Sequence, residues 1–188
     1  GIREIVWQAP AEMTGVRNAG DPAEPFVTPH LTDNGATMYF ARRLPSGQTD
    51  IFRSRLIDGD WQNATPLDVV NSPFDDLGPV LSQDGRELYF YSNRPGGAGR
   101  SDIYVSRRDG NGWSKPQNVG DSVNSSADEF DPAPVPGGRS LIFSSNRNDE
   151  PVPDSRMALG EMPPWQTTLR AKQDLITFDL YRTQRNSK

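Results

Sequence analysis

Apolar residues along this chain come in short bursts, each ended by Gly, Pro, Asn or Asp, and the bursts recur. Three stretches align: PHLTDNGATMYFARR (29–43), PVLSQDGRELYFYSNR (79–94) and PAPVPGGRSLIFSSNR (132–147). Each has a Pro-led apolar stretch, then a turn ending in Gly35, Gly85 or Gly138. Each closes on a strand centred on Tyr39-Phe40, Tyr89-Phe90 or Ile142-Phe143. A second set comes after these: TDIFRSR from Thr49, SDIYVSRR from Ser101 and FDLYRTQR from Phe178. A third set joins Trp61 with Pro66, Trp113 with Pro116, and Trp7 with Pro10. Asp-Gly-Asp before Trp61 and Gly-Asn-Gly before Trp113 are hairpin-turn chemistry, because Gly and Asn tolerate positive φ.

The period is about 50 residues, and each copy predicts four short strands in an antiparallel meander. Meanders repeated at this length are propeller blades. One such sheet cannot bury both faces, so neighbouring blades stack on it. The expected fold is all-β: a β-propeller of four-stranded antiparallel blades, three in this chain, forming one domain over residues 1–188. The copies run over about 24–72, 74–125 and 128–185. The last copy lacks a Trp strand after Gln184. An extra strand at about residues 2–10, Ile5-Val6-Trp7-Gln8, is expected to complete it. Three blades are too few for a ring, since propellers have about four to eight. The chain is therefore read either as a partial propeller or as half of a six-bladed, head-to-tail homodimer. The start at Gly1 is read as a trimmed or engineered end from which a targeting signal has been cut.

The run PVLSQDGRELYFYSNR followed by Asp102-Ile103-Tyr104-Val105-Ser106 resembles the WD-like repeat of TolB-type β-propellers, nearly throughout residues 79–106. The first copy departs at Ala41-Arg42-Arg43, where Ser-Asn-Arg is expected, and the third at Val135-Pro136-Gly137, where Ser-x-Asp is expected. The resemblance covers about residues 5–147 and 174–185. It implies a bacterial, periplasmic or extracellular scaffold that binds another protein at the cell envelope.

Composition narrows the function. Among 188 residues are 17 Gly and 17 Pro, with 34% hydrophobic, a balance of turns and short strands. A net charge of −5 argues against a nucleic-acid surface. There is no Cys, so disulfides and thiolate metal sites are excluded. No apolar stretch approaches the roughly 20 residues that span a bilayer.

Candidate chemistry is sparse. Gly96-Gly97-Ala98-Gly99 suggests a phosphate loop, but such loops open a helix, and the next residues predict a strand. A turn is expected. Asp50, Asp102 and Asp179 recur at the start of the third strand, as carboxylates accepting backbone N–H bonds or, alternatively, as a ring of metal ligands. Trp7, Trp61 and Trp113 read as packing at a blade edge or between blades, or as sugar platforms. The single histidine, His30, falls on an inner strand, as a packed residue or a general base.

The second–third turns and the blade-to-blade links are expected to share one rim, gathering Arg42, Arg43, Arg94 and Arg147. The same rim holds the links 71–76 and 125–131, where exposed ion pairs are expected. An insertion at about residues 148–173 carries Trp165; long loops of this kind carry function or are disordered. Arg43, Arg94, Arg147, Asp75, Asp128 and Trp165 are the candidate partner- or ligand-binding residues. No catalytic residue, metal site or cofactor is assigned.

The favoured reading is a non-catalytic protein-binding module with no nucleic-acid partner and no membrane span. The alternative is a carbohydrate-active propeller, glycan-binding, lyase or glycosidase, using Asp75, Asp76, Asp128, Glu129 and Asp131. Sialidase-type Asp boxes are absent, and no Gly-x-Ser-x-Gly elbow supports a serine peptidase.

Overall fold

A computed structural model of the chain describes residues 13–16, 26–32, 34–147 and 179–184. The described residues are strands and turns, apart from one 3₁₀ turn at Thr14–Val16. The first blade comprises β1 (Phe26–Leu31), β2 (Thr37–Arg43), β3 (Thr49–Ile57), β4 (Asp60–Trp61) and β5 (Thr65–Pro66). The second comprises β6 (Asp76–Leu81), β7 (Glu87–Ser92), β8 (Asp102–Asp109), β9 (Gly112–Trp113) and β10 (Gln117–Asn118). The third shows β11 (Glu129–Pro134), β12 (Ser140–Ser145) and β13 (Asp179–Gln184). All pairing is antiparallel, between successive strands except where β3 pairs β5 and β8 pairs β10. The expected N-terminal closing strand and the insertion with Trp165 lie outside the described residues.

Local chemistry sets the hairpins. Gly35, Gly85 and Gly138 all sit at φ 67°. Their amides donate to the carbonyls of Thr32, Ser82 and Val135 at 2.7, 2.8 and 3.1 Å. Each first strand also carries a bulge ahead of its proline, with positive φ at Thr28, Gly78 and Asp131 (51°, 61° and 50°). A bulge kinks the strand and re-aims the side chains beyond it. Ala41, Ser144 and Tyr91 pair with the residue just before Thr28, Asp131 and Gly78, so the large side chain accompanies the bare backbone. A Cβ at Gly78 would lie 2.5 Å from the Tyr91 ring. Glycine there makes room for the aromatic side chain.

The fourth strand differs from the expected single Trp strand. Trp61 extends the hairpin at Leu56, while Thr65 and Pro66 pair farther back with Arg53 and Phe52. Between them, the Gln62 carbonyl accepts the Ser54 hydroxyl and the Ala64 amide turns to Val16. Those bonds draw the chain off the ladder and split the strand in two. The second blade repeats the split, with Trp113 on Arg108 and Gln117 on Val105.

Alternation on the strands gives each blade two apolar faces. Tyr39 and Ile51 of the first blade pack on Leu88, Phe90, Tyr104 and Trp113 of the second. Tyr89, Tyr91, Ile103 and Val105 of the second pack on Phe130, Leu141 and Phe143 of the third. Phe40, Phe90 and Phe143 thus occupy equivalent places in successive sheets. The outward face of the first blade is also buried, with Phe40 and Phe52 under Val16 and Ala64. No helix among the described residues is long and apolar enough to cross a membrane.

Gly78→Ala is expected to lower stability by about 2–4 kcal/mol in urea or thermal melts, through strain plus the Tyr91 clash. Combining it with Tyr91→Ala, which recreates the small partner at Ala41, is expected to cost less than the sum of the two singles.

Candidate functional site

The residues singled out on the rim meet at the blade junctions, and two of them form a buried repeat. Asp76 begins β6 and is fully buried. Its carboxylate accepts the Ser72 amide (2.6 Å) and hydroxyl (3.0 Å), and it pairs with Arg94. Arg94 also donates to the Val70 carbonyl of the preceding blade at 2.8 Å and to the Ser92 hydroxyl at 3.1 Å. Its guanidinium lies 5.1 Å from the Phe90 ring and 4.9 Å from Tyr104, which stack on each other. The next junction repeats this with Glu129, Ser125, Arg147, Val123, Ser145, Phe143 and Tyr181. In these two rim pairs, expected from the sequence to be exposed, the carboxylates are buried and the arginines 14% and 25% exposed. A charge withdrawn from water must be fully paired, and each carboxylate is enclosed by donors on several sides.

The first blade builds the position differently. Pairing sets Arg42 opposite Asp50 and Ser92 opposite Asp102, so Leu44, not Arg43, occupies the place of Arg94. Phe26 stands where Asp76 stands and meets Phe40 edge-on at 5.2 Å. Arg42 covers the Phe52 ring at 4.0 Å. Arg43 turns to its own loop and donates to the Gly47 carbonyl at 3.2 Å.

Asp75 and Asp128 tie consecutive blades. Asp75 accepts the Thr49 amide of the first blade at 2.8 Å, and its own amide donates to Asn93 at 2.9 Å. Asp128 accepts the Ser101 amide at 3.1 Å and pairs with Arg100. Burial pushes the Asp75 carboxyl above the ordinary range, opposed by the bond from Thr49 and aided by the neighbouring Asp76 charge.

A pair of asparagines forms a further repeat that the sequence reading does not single out. Asn71 accepts the Ile51 amide at 2.8 Å and donates to its carbonyl at 3.0 Å. Asn124 does the same to Ile103 at 2.8 and 2.9 Å. Each side chain mimics a strand partner where β5 or β10 has ended. The signal is present as Val-Asn-Ser at 70–72 and 123–125, ahead of paired acids at 75–76 and 128–129.

The glycine loop does cradle an anion, and the anion is the chain's own. The Ala98 amide donates to Asp102 at 3.0 Å and the Gly99 amide at 3.2 Å. A Cβ at Gly97 would fall 2.0 Å from that carboxylate. Burial nevertheless raises the Asp102 carboxyl above its usual range. Asp50, also raised by burial, takes the Gln48 side chain at 3.3 Å. His30 is half-buried on β1 opposite Tyr39. Trp113 is buried between blades, edge-on to Tyr39 at 6.2 Å. Asp131 stands at a bulge on β11. No group of three His, Asp or Glu side chains among the described residues could hold a metal ion.

Among solved structures, the chain is similar to a protein assigned as TolB from Agrobacterium tumefaciens. The TM-score is 0.50 at 24% identity, covering 72% of this chain and 42% of that one. The fold is a β-propeller. The chain is also similar to TolB from Acinetobacter baumannii, with a TM-score of 0.45 and 16% identity over 62% of this chain and 26% of that one. The chain thus spans less than half the length of either structure. No protein-family model and no curated protein matches the chain.

Arg94→Leu, which imports Leu44, leaves Asp76 buried without its cation and is expected to cost about 3–5 kcal/mol by chemical denaturation. Adding Asp76→Ala is expected to restore part of that loss. A native carboxyl raised above its unfolded value binds its proton more tightly when folded, so its contribution to stability falls as pH rises through that window. Asp75→Asn keeps an acceptor for Thr49 without the charge. Its stability relative to the parent is therefore expected to improve from about pH 4 to about pH 7, measured by urea titrations at each pH.

Proposed function

We propose that the chain is a non-catalytic binding module, a protein-interaction scaffold acting outside the cytoplasm at the bacterial cell envelope. The observation that carries this reading is the surface the first link presents to water. Its acids are turned inward: Asp75 onto the Thr49 amide and Asp76 onto Arg94. Between and beside them stand exposed apolar side chains, Phe74 at 42% and Val69 at 53% exposure. An exposed aromatic on a polar rim suits a protein anchor, since such residues dominate protein interfaces. The half-exposed Arg100, held by Asp128, adds a cation at the next link.

The same geometry weighs against a glycosidase. Paired carboxylates in such enzymes flank an open cleft, whereas Asp75, Asp76, Asp128 and Glu129 are engaged by backbone, hydroxyl and guanidinium donors within the fold. The envelope setting comes from the repeat resemblance over residues 79–106 and belongs to the proposal.

A photo-crosslinking amino acid at position 74, introduced in cells, is expected to trap a discrete envelope protein, and Val69→Ser is expected to weaken the adduct several-fold. Absence of an adduct, together with saturable oligosaccharide binding lost in Asp75→Asn, would favour the carbohydrate reading.

A further inference from the structure

At the blade end opposite the links, a cleft of about 680 Å³ opens between the second and third blades. One wall is the β6–β7 turn with the end of β8, carrying Arg86, Arg107 and Arg108; the other is the Gly137-Gly138 turn. The Arg86 carbonyl accepts the Arg108 amide at 2.8 Å, so these two cations are cross-strand neighbours. Like charges so placed cost stability. The blade itself does not require them, because Ala36 and Leu56 make the same backbone bond in the first blade at 2.9 Å.

Two acids, Asp84 and Glu87, line the cleft beside the three arginines, and Asp84 is exposed. Asp84 accepts the Ser82 hydroxyl at 2.7 Å and the Arg86 amide at 3.1 Å, and these bonds hold its carboxyl below the ordinary range. Glu87 accepts the Tyr89 hydroxyl at 2.8 Å and Arg107 at 3.2 Å. Arg108 lies over Trp113 at 4.2 Å and donates to the Gly85 carbonyl at 3.2 Å. Arg86 is exposed and makes no side-chain hydrogen bond among the described residues.

We propose that this cleft binds an acidic peptide segment of a partner protein, with Arg86 taking a carboxylate and Arg107, held by Glu87 and Gln117, adding positive charge beside it. Guanidinium and carboxylate match as a two-pronged, charge-assisted pair. A peptide is favoured over an acidic glycan because no aromatic face among the described residues lines the cleft: Arg108 covers Trp113. The glycine wall, bare of side chains, leaves space for a main chain. The site is separate from the surface around Phe74 and stands or falls independently of it.

The test is a fluorescence-anisotropy titration of the 188-residue chain with labelled hexaglutamate at low salt, beside hexaglutamine and oligogalacturonate. Saturable binding of hexaglutamate is expected, weakened about tenfold by Arg86→Gln with an unchanged melting temperature. Moderate salt is expected to weaken it further, and Phe74→Ser to leave it unaltered. No hexaglutamate binding, equal binding of hexaglutamine, indifference to Arg86→Gln, or tighter binding of oligogalacturonate would each overturn the proposal.

Discussion

The stacking of these sheets depends on an ion pair that the second and third blades each supply whole and anchor in the blade before. Asp76 and Glu129 are carboxylates withdrawn from water. The cations that neutralise them, Arg94 and Arg147, also reach back to carbonyls of the preceding blade at Val70 and Val123. Burying such a pair brings little net stability compared with a well-packed apolar contact, because desolvation offsets most of the attraction. Its effect is on geometry. A blade docked at another angle would keep its ion pair but part the guanidinium from the Val70 or Val123 carbonyl and the carboxylate from the Ser72 or Ser125 amide. The stacked aromatic pairs Phe90–Tyr104 and Phe143–Tyr181 lie against the guanidinium and limit where it can reach. The first blade substitutes an apolar solution, Phe26 on Phe40 beside Leu44.

The blade was legible in the sequence because its determinants are local. A turn glycine, an aromatic pair and a Pro-led strand each act within a few residues of themselves, and the structure places them at matching positions in all three copies. The junctions were less legible because their bonds join residues far apart in sequence. Asn71 acts on Ile51, Asp75 on Thr49 and Arg94 on Val70. Nothing near Asn71 in the chain announces a missing strand partner in the ladder it completes. The one-residue offset that equates Leu44 with Arg94 was hidden for a related reason. The letters Arg42-Arg43 look like the end of Ser-Asn-Arg, and only the pairing of Arg42 with Asp50 shows otherwise.

This difference separates architecture from recognition. The rim acids and arginines with the most reactive chemistry serve the junctions, and the glycine loop holds Asp102 in the manner of a bound anion. The surface left for partners is the part the repeat does not use: the solvent side of Phe74 and Val69, and an arginine at position 86 that the first blade replaces with alanine.

The hooks at Asp75 and Asp128 carry a mechanical implication. Each completes the hydrogen bonding of the blade before it, at Thr49 and Ser101. Peeling one blade away therefore leaves a backbone donor of its neighbour without its acceptor. Under load, a junction and the third strand of the blade before it yield together.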